Sequence, residues 1–293
     1  MINFISSVLG AVIRVIYNIV GQNYLIALLI FTFLTKLILF PLMLKQLKST
    51  KSIQAIAPED KKLREKYKND PQKLSEELNK LYVENKVSPW AGCLVPIIQI
   101  PIILAMFYVV RQPLTYVLHM DQEQITSYTA QYLNVEESQV DEKMAKAYEI
   151  NVAKEYQEEI GLDLNLGFGM SLGDVPKDSI PYFQKDETKR VSYLTLIIPI
   201  LSLIFSVIST KVSQKNMQLS EDQAEMQKSM NLMMPILSAW IAVCWPLALG
   251  VYWLFGNILS IGQQFIMDKL MEDKSEPKDG DKKLFLGKGE NND

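Results

Sequence analysis

An all-α polytopic membrane protein is predicted by three features of the 293-residue sequence. Its apolar residues gather into four blocks, 24–44, 92–110, 193–210 and 229–267, rather than spreading through the chain. Each of the first three matches the roughly 20 residues a helix needs to cross a ~30 Å hydrocarbon core. The fourth is too long for one crossing and breaks at Trp245-Pro246, so five spans are expected, near 24–44, 92–112, 192–212, 229–245 and 247–267. The third feature is charge asymmetry. Residues 45–88 hold eleven Lys/Arg against seven Asp/Glu, whereas 113–190 hold seven against fifteen. The excess of Lys and Arg places 45–88 in the cytoplasm and 113–190 outside. The N-terminus is then external, and the charged tail 269–293 is cytoplasmic.

Residues 1–21 precede the first span. Asn3, Ser7, Gly10, Arg14 and Asn18 recur at steps of four, three, four and four, one face of a helix. An amphipathic helix in the external interface fits this spacing. An uncleaved signal-like segment is the alternative, because there is no basic leader and no small-residue cleavage site.

The spans and their connections form one core, 22–268. After the first span, Ile53, Ile56, Leu63 and Tyr67 recur at helical spacing. Asp70-Pro71 then supplies an N-cap and a first helical residue, and Leu74, Leu78, Leu81 and Tyr82 form a second stripe. This predicts a helical hairpin over 45–88. The external segment 113–190 is acidic, with a helix expected over Val135–Ile160 and a turn-rich stretch at 161–181. His119, the single histidine of the chain, has no evident partner and is not expected to be catalytic. Cys93 and Cys244 fall at opposite membrane faces, too far apart for a disulfide, and read as packing residues. No Cys/His spacing suggests a metal.

Polar residues lie inside the spans in register. In the third span Ser192, Thr195, Pro199, Ser202, Ser206, Ser209 and Ser213 follow one another at alternating steps of three and four. Such a face serves close packing in lipid or a wet surface, and alone it does not distinguish them. In the fifth span Trp253, Asn257, Ser260 and Gln264 share a face. Gln99 lies in the second span between Pro96 and Pro101. Lys36, with Thr32 and Thr35, lies in the first. No Asp or Glu sits within any span to pair with Lys36. An intramembrane charge costs on the order of 3 kcal/mol and marks a functional path. The competing reading is snorkelling, since Lys36 is about 12 Å from the span end at Leu44 and its stem covers part of that distance.

The order TKLILFPLMLKQ, a charged hairpin, SPWAGCLVPIIQIPIILAMFYVV and a closing WPLALGVYWLFGNILSIGQQFIM resembles the YidC-type membrane protein insertases, in their single-domain five-span bacterial form. The resemblance covers roughly 1–112 and 190–268. It implies five helices around a hydrophilic groove, open to cytoplasm and lipid and closed outside. It places Lys36 at the family's groove basic residue, more often arginine. Gln99, Ser209 and Trp253 match groove-lining positions, with serine at 209 where relatives commonly carry glutamine. The expected groove set is Lys36, Thr32, Gln99, Ser202, Ser206, Ser209, Trp253 and Asn257. Lysine keeps the charge and loses arginine's bidentate fork.

The resemblance implies nascent membrane proteins with short acidic or polar tails as partners, together with the lipid bilayer, the ribosome and the general secretion channel. It implies no cofactor and no DNA. The sequence has no GxxxxGK[ST] loop and no nucleophile–base pair, so no enzyme activity is expected. A small transporter or ion pathway using Lys36 as counter-charge is the rival from another class, but no internal repeat supports it. A membrane assembly scaffold is a third.

Overall fold

In the computed structural model the described residues are 1–87, 94–182, 191–214 and 221–272, and they are predominantly helical. Cys93 and the tail from Asp273 lie outside them, and Cys244 is a free thiol.

Helix α1 spans Ile2–Ile19 and has three sides. Phe4, Val8, Val12, Val15 and Ile19 form an exposed apolar row, while Ser6, Gly10, Ile13, Ile16 and Tyr17 are buried. The expected polar row is exposed at Asn3, Ser7, Arg14 and Asn18, but Gly10 faces inward. Its role is close approach, because a Cβ there would stand 2.3 Å from the Tyr116 carbonyl oxygen. Ser6 donates across to the Ala105 carbonyl at 3.3 Å. Arg14 contacts Nδ1 of His119, giving that histidine the partner the sequence does not reveal.

Helix α2 spans Tyr24–Lys66, capped by the Asn23 side chain accepting from the Ile26 N–H at 2.9 Å. The expected first span and first hairpin arm are therefore one 43-residue helix that carries Pro41 and Pro58 inside it. Each proline removes one i→i−4 bond, and the remaining ladder holds the helix together. Helix α3, Pro71–Glu84, starts on its Asp70 cap, which accepts from the Lys73 N–H at 3.1 Å. Asp60 of α2 accepts from Arg64 Nε at 2.5 Å and from the Tyr82 hydroxyl of α3 at 2.6 Å, tying the two arms together.

Helix α4 spans Leu94–Arg111 and ends in a π-turn at Leu114–Leu118. Helix α5 (Gln122–Leu133) follows, and the single helix expected over Val135–Ile160 is divided. A 3-10 turn at Glu137–Gln139 precedes α6 (Glu142–Glu155), and Tyr156 separates α6 from the short α7 (Gln157–Ile160). Asp141 stops the first part by capping α6, accepting from the Met144 N–H at 2.7 Å. Strands β1 (Asn165–Gly167) and β2 (Met170–Ser171) then pair antiparallel.

A 3-10 turn at Tyr193–Leu196 leads into α8 (Ile197–Gln214). Helix α9 (Glu221–Cys244) and helix α10 (Leu247–Glu272) meet at Trp245-Pro246. The backbone of 172–174 caps α10, with Leu247 N–H donating to Asp174 O at 2.8 Å and Ala248 N–H to Leu172 O at 2.9 Å. These contacts satisfy donors that a helix start leaves unpaired.

Among the described residues three helical stretches are long and apolar enough to cross a membrane: Ile2–Ile19, Tyr24–Lys66 and Tyr193–Gln214. Gln99–Arg111 and Asn231–Cys244 are shorter apolar stretches. The hydrophobic core gathers at one end. It combines Tyr24, Ala27, Leu28 and Phe31 of α2, Met106, Val109 and Val110 of α4, Ala248 to Tyr252 of α10, and the packed segment 114–172. Along α2 nothing between Thr32 and Ile56 is buried. The bundle is thus sealed at the Tyr24/Leu247 end and loosens beyond it.

Candidate functional site

Lys36 lies where the sealed core ends, about three turns into α2. Its ammonium donates to the Ser260 hydroxyl oxygen of α10 at 2.6 Å. The Ser260 proton goes to the Gly256 carbonyl at 2.8 Å, which turns the oxygen lone pairs toward the lysine. Gln263 Nε2 donates to the Lys36 backbone carbonyl at 2.8 Å. At Gly256 a Cβ would meet the lysine Cε at 3.7 Å, so the stem lies along the α10 backbone. Lys36 has no carboxylate partner among the described residues. A hydrogen bond to a charged group contributes about 1.5–3 kcal/mol, close to the roughly 2.5–3.5 kcal/mol insertion cost of a central charge. One hydroxyl thus stabilises the cation in place, and two of its three N–H donors meet no partner among the described residues.

The other expected site residues divide by what their polar atoms do. The Thr32 side chain is buried and its hydroxyl donates back to Leu28 O at 2.7 Å. Gln99 is half-buried, on the helix that packs against α10 and its buried Tyr252. Ser202 and Ser206 are buried, and in the seam between α8 and α10 Ser202 Oγ donates to Gly250 O at 3.4 Å. Gly250 permits this approach, since a Cβ there would lie 3.1 Å from Ile198 Cγ2. The upper part of the serine face, from Thr195 to Ser206, is therefore helix packing. Ser209 is half-buried further along, and Ser213 is exposed. Trp253 and Asn257 are half-buried, and the Asn257 amide nitrogen is enclosed with no hydrogen-bond partner among the described residues.

The stripe of α10 that meets α2 differs from the one the sequence singles out. Gly256, Ser260 and Gln263, at steps of four and three, touch Lys36. Gln264 turns instead toward a shallow cleft lined by Lys51, Gln54, Ser213 and Asp268 among others. There Gln264 Nε2 donates to Asp268 Oδ2 at 3.2 Å, and Lys51 pairs with Asp268 at 3.7 Å. Gln263 escapes a reading based on the polar face alone; the glycine four residues before Ser260 is the signal that points to its stripe.

Apolar helices around a half-buried lysine held by a neutral hydroxyl define an α-helical membrane protein with a cation kept inside its bundle. The family model described as 60Kd inner membrane protein matches residues 15–275, and the chain belongs to that family. It is similar to "Membrane protein insertase YidC" of Clostridium perfringens, 49% identical over 90 residues, 31% of this chain and 38% of that protein. "Membrane protein insertase YidC 2" of Bacillus anthracis is 28% identical over 263 residues, covering 88% of this chain and 77% of the relative. "Membrane protein insertase YidC" of Caldanaerobacter subterraneus is 29% identical over 262 residues, covering 89% and 93%. The named relatives are all insertases, and neither the transporter nor the scaffold reading gains support from them.

Proposed function

We propose that this protein inserts newly made membrane proteins by taking a client's polar tail into a hydrophilic groove lined by Lys36 and releasing the client's apolar helix into lipid. In this reading five helices cross the plasma membrane: the first half of α2, then α4, α8, α9 and α10. The N-terminus lies outside, with α1 at the external interface, and the α2–α3 hairpin and the tail lie in the cytoplasm. Residues 113–182 cap the external end, where the core is sealed.

The observation that carries the reading is Lys36 held in the apolar bundle by a hydroxyl, with no carboxylate partner among the described residues. A carboxylate entering from the cytoplasmic side is attracted strongly there, because low-dielectric surroundings screen little. Gln99, Ser209, Trp253 and Asn257 are the half-buried groups that complete the groove with Lys36, and Thr32, Ser202 and Ser206 hold its walls together. The α2–α3 hairpin receives the client, beside the ribosome or the general secretion channel. Transfer of the client's apolar segment into lipid, at about 25 cal/mol per Å², drives release without nucleotide hydrolysis.

Complementation of an insertase-depleted bacterium tests this. Lys36→Arg should support growth, Lys36→Ala should fail for clients with acidic tails, and Lys36→Glu should fail more broadly. Full insertion of acidic-tail clients by Lys36→Glu would overturn the electrostatic step.

A further inference from the structure

We propose that Ser260 is the positioning residue of the groove cation, so that the charge belongs to the α2–α10 seam rather than to position 36. This deepens the insertase reading and rests on it. A lysine at this depth has a flexible four-carbon stem, and left alone its head would swing toward the nearer headgroups. Three contacts oppose that swing. The Ser260 oxygen accepts from the ammonium at 2.6 Å. Ser260 cannot turn away easily, because its own proton is held by Gly256 O at 2.8 Å. Gln263 anchors the other end of the residue by donating to the Lys36 carbonyl at 2.8 Å. The bare backbone at Gly256 lets the stem lie flat against α10. Lysine offers three N–H donors and no fixed fork, so a partner on the facing helix supplies the aim that an arginine carries in its own geometry. Ser260 thereby sets which clients are handled: it keeps the cation where an acidic tail meets it, and a neutral tail gains nothing from it.

The full-length protein in proteoliposomes, with two clients that share an apolar segment and differ in an acidic or a neutral tail, gives the readout. Ser260→Ala should lower insertion of the acidic-tail client about tenfold, the lower end of what one hydrogen bond to a charge is worth, and leave the ratio shifted toward the neutral-tail client. Ser260→Thr should restore the acidic-tail client. The relocated charge, Lys36→Ser with Ser260→Lys, should insert acidic tails better than Lys36→Ser alone. An unchanged ratio of the two clients in Ser260→Ala, equal loss of both, or a relocated charge no better than Lys36→Ser would each overturn the proposal. Lys36→Cys with Ser260→Cys, in a chain whose Cys93 and Cys244 are replaced by serine, reads the seam without any client: bridging by a bifunctional thiol reagent with an arm as long as the lysine stem is expected in the membrane, and its absence overturns the placement. If the unaltered protein inserts neither client, the insertase reading fails, and the cross-link still decides the seam.

Discussion

Lys36 in the bundle and Asp60 in the α2–α3 hairpin are two protected charges on the same helix, about 36 Å apart along it, and they are satisfied in opposite ways. The buried Asp60 carboxylate receives a guanidinium and a phenol, one on each oxygen. Lys36 receives one neutral hydroxyl. A charge paired on all sides has no capacity left for a guest, and it serves as a joint between helices. A charge stabilised just enough to be tolerated keeps unused donors and can exchange partners. Glu149 of α6 is an acidic counterpart of Lys36: fully buried, it accepts from the Thr115 N–H at 2.9 Å and the Thr115 hydroxyl at 2.7 Å, with no cation in hydrogen-bonding contact among the described residues. Burial pushes its carboxyl up to about 7, against the lowering effect of the Thr115 hydrogen bonds and of nearby Lys146.

The distinction can be broken at each of these sites. The largest effect is expected at Glu149. Its carboxyl is raised from 4.5 to about 7, so the folded state holds the proton more tightly than the unfolded chain does. Docking of α6 on the π-turn is then strongest below about pH 4.5 and is lost as pH rises through about 7, a change on the order of 3 kcal/mol. Hydrogen exchange at the Thr115 amide, corrected for its intrinsic pH dependence, should follow that slope, and Glu149→Gln should flatten it. A slope that survives in Glu149→Gln assigns the titration elsewhere.

Next comes Asp60→Ala, which leaves Arg64 and Tyr82 facing a vacated site and should loosen the hairpin by about 2–3 kcal/mol. Limited proteolysis between α2 and α3 measures this. The ratio of acidic-tail to neutral-tail insertion should stay constant, and a change in it would erase the contrast with Lys36. Smallest is Tyr82→Phe, which removes one of the two bonds to Asp60 and should cost about 1 kcal/mol by the same assay.

Much of the helical layout was legible from residue types. The apolar blocks, the Asp70-Pro71 restart and the Trp245-Pro246 break are local signals, and the helices start or stop where those residues stand. Less legible was the join of the first span to the hairpin arm, because the change from apolar to charged residues after Leu44 marks the end of a span and not the end of a helix. The division of Val135–Ile160 escaped because charged residues carry little periodic signal. Asp60 escaped for the same reason: among so many charges, nothing local marks the one that will be buried.

By itself the sequence determined that this chain lies in a membrane and that a lysine sits within an apolar span, with no carboxylate inside any of the spans to pair with it. Hydrophobic length and the cost of an intramembrane charge depend on composition along one helix, so they can be read from the chain. Only the tertiary structure decided what each polar residue does. It buried Ser202 and Ser206, turned Thr32 back onto its own helix, and brought Ser260 and Gln263 to Lys36 from more than two hundred residues away. A helical face records which residues point the same way; which neighbour they meet depends on how two helices rotate against each other, and that is settled by packing across the whole bundle.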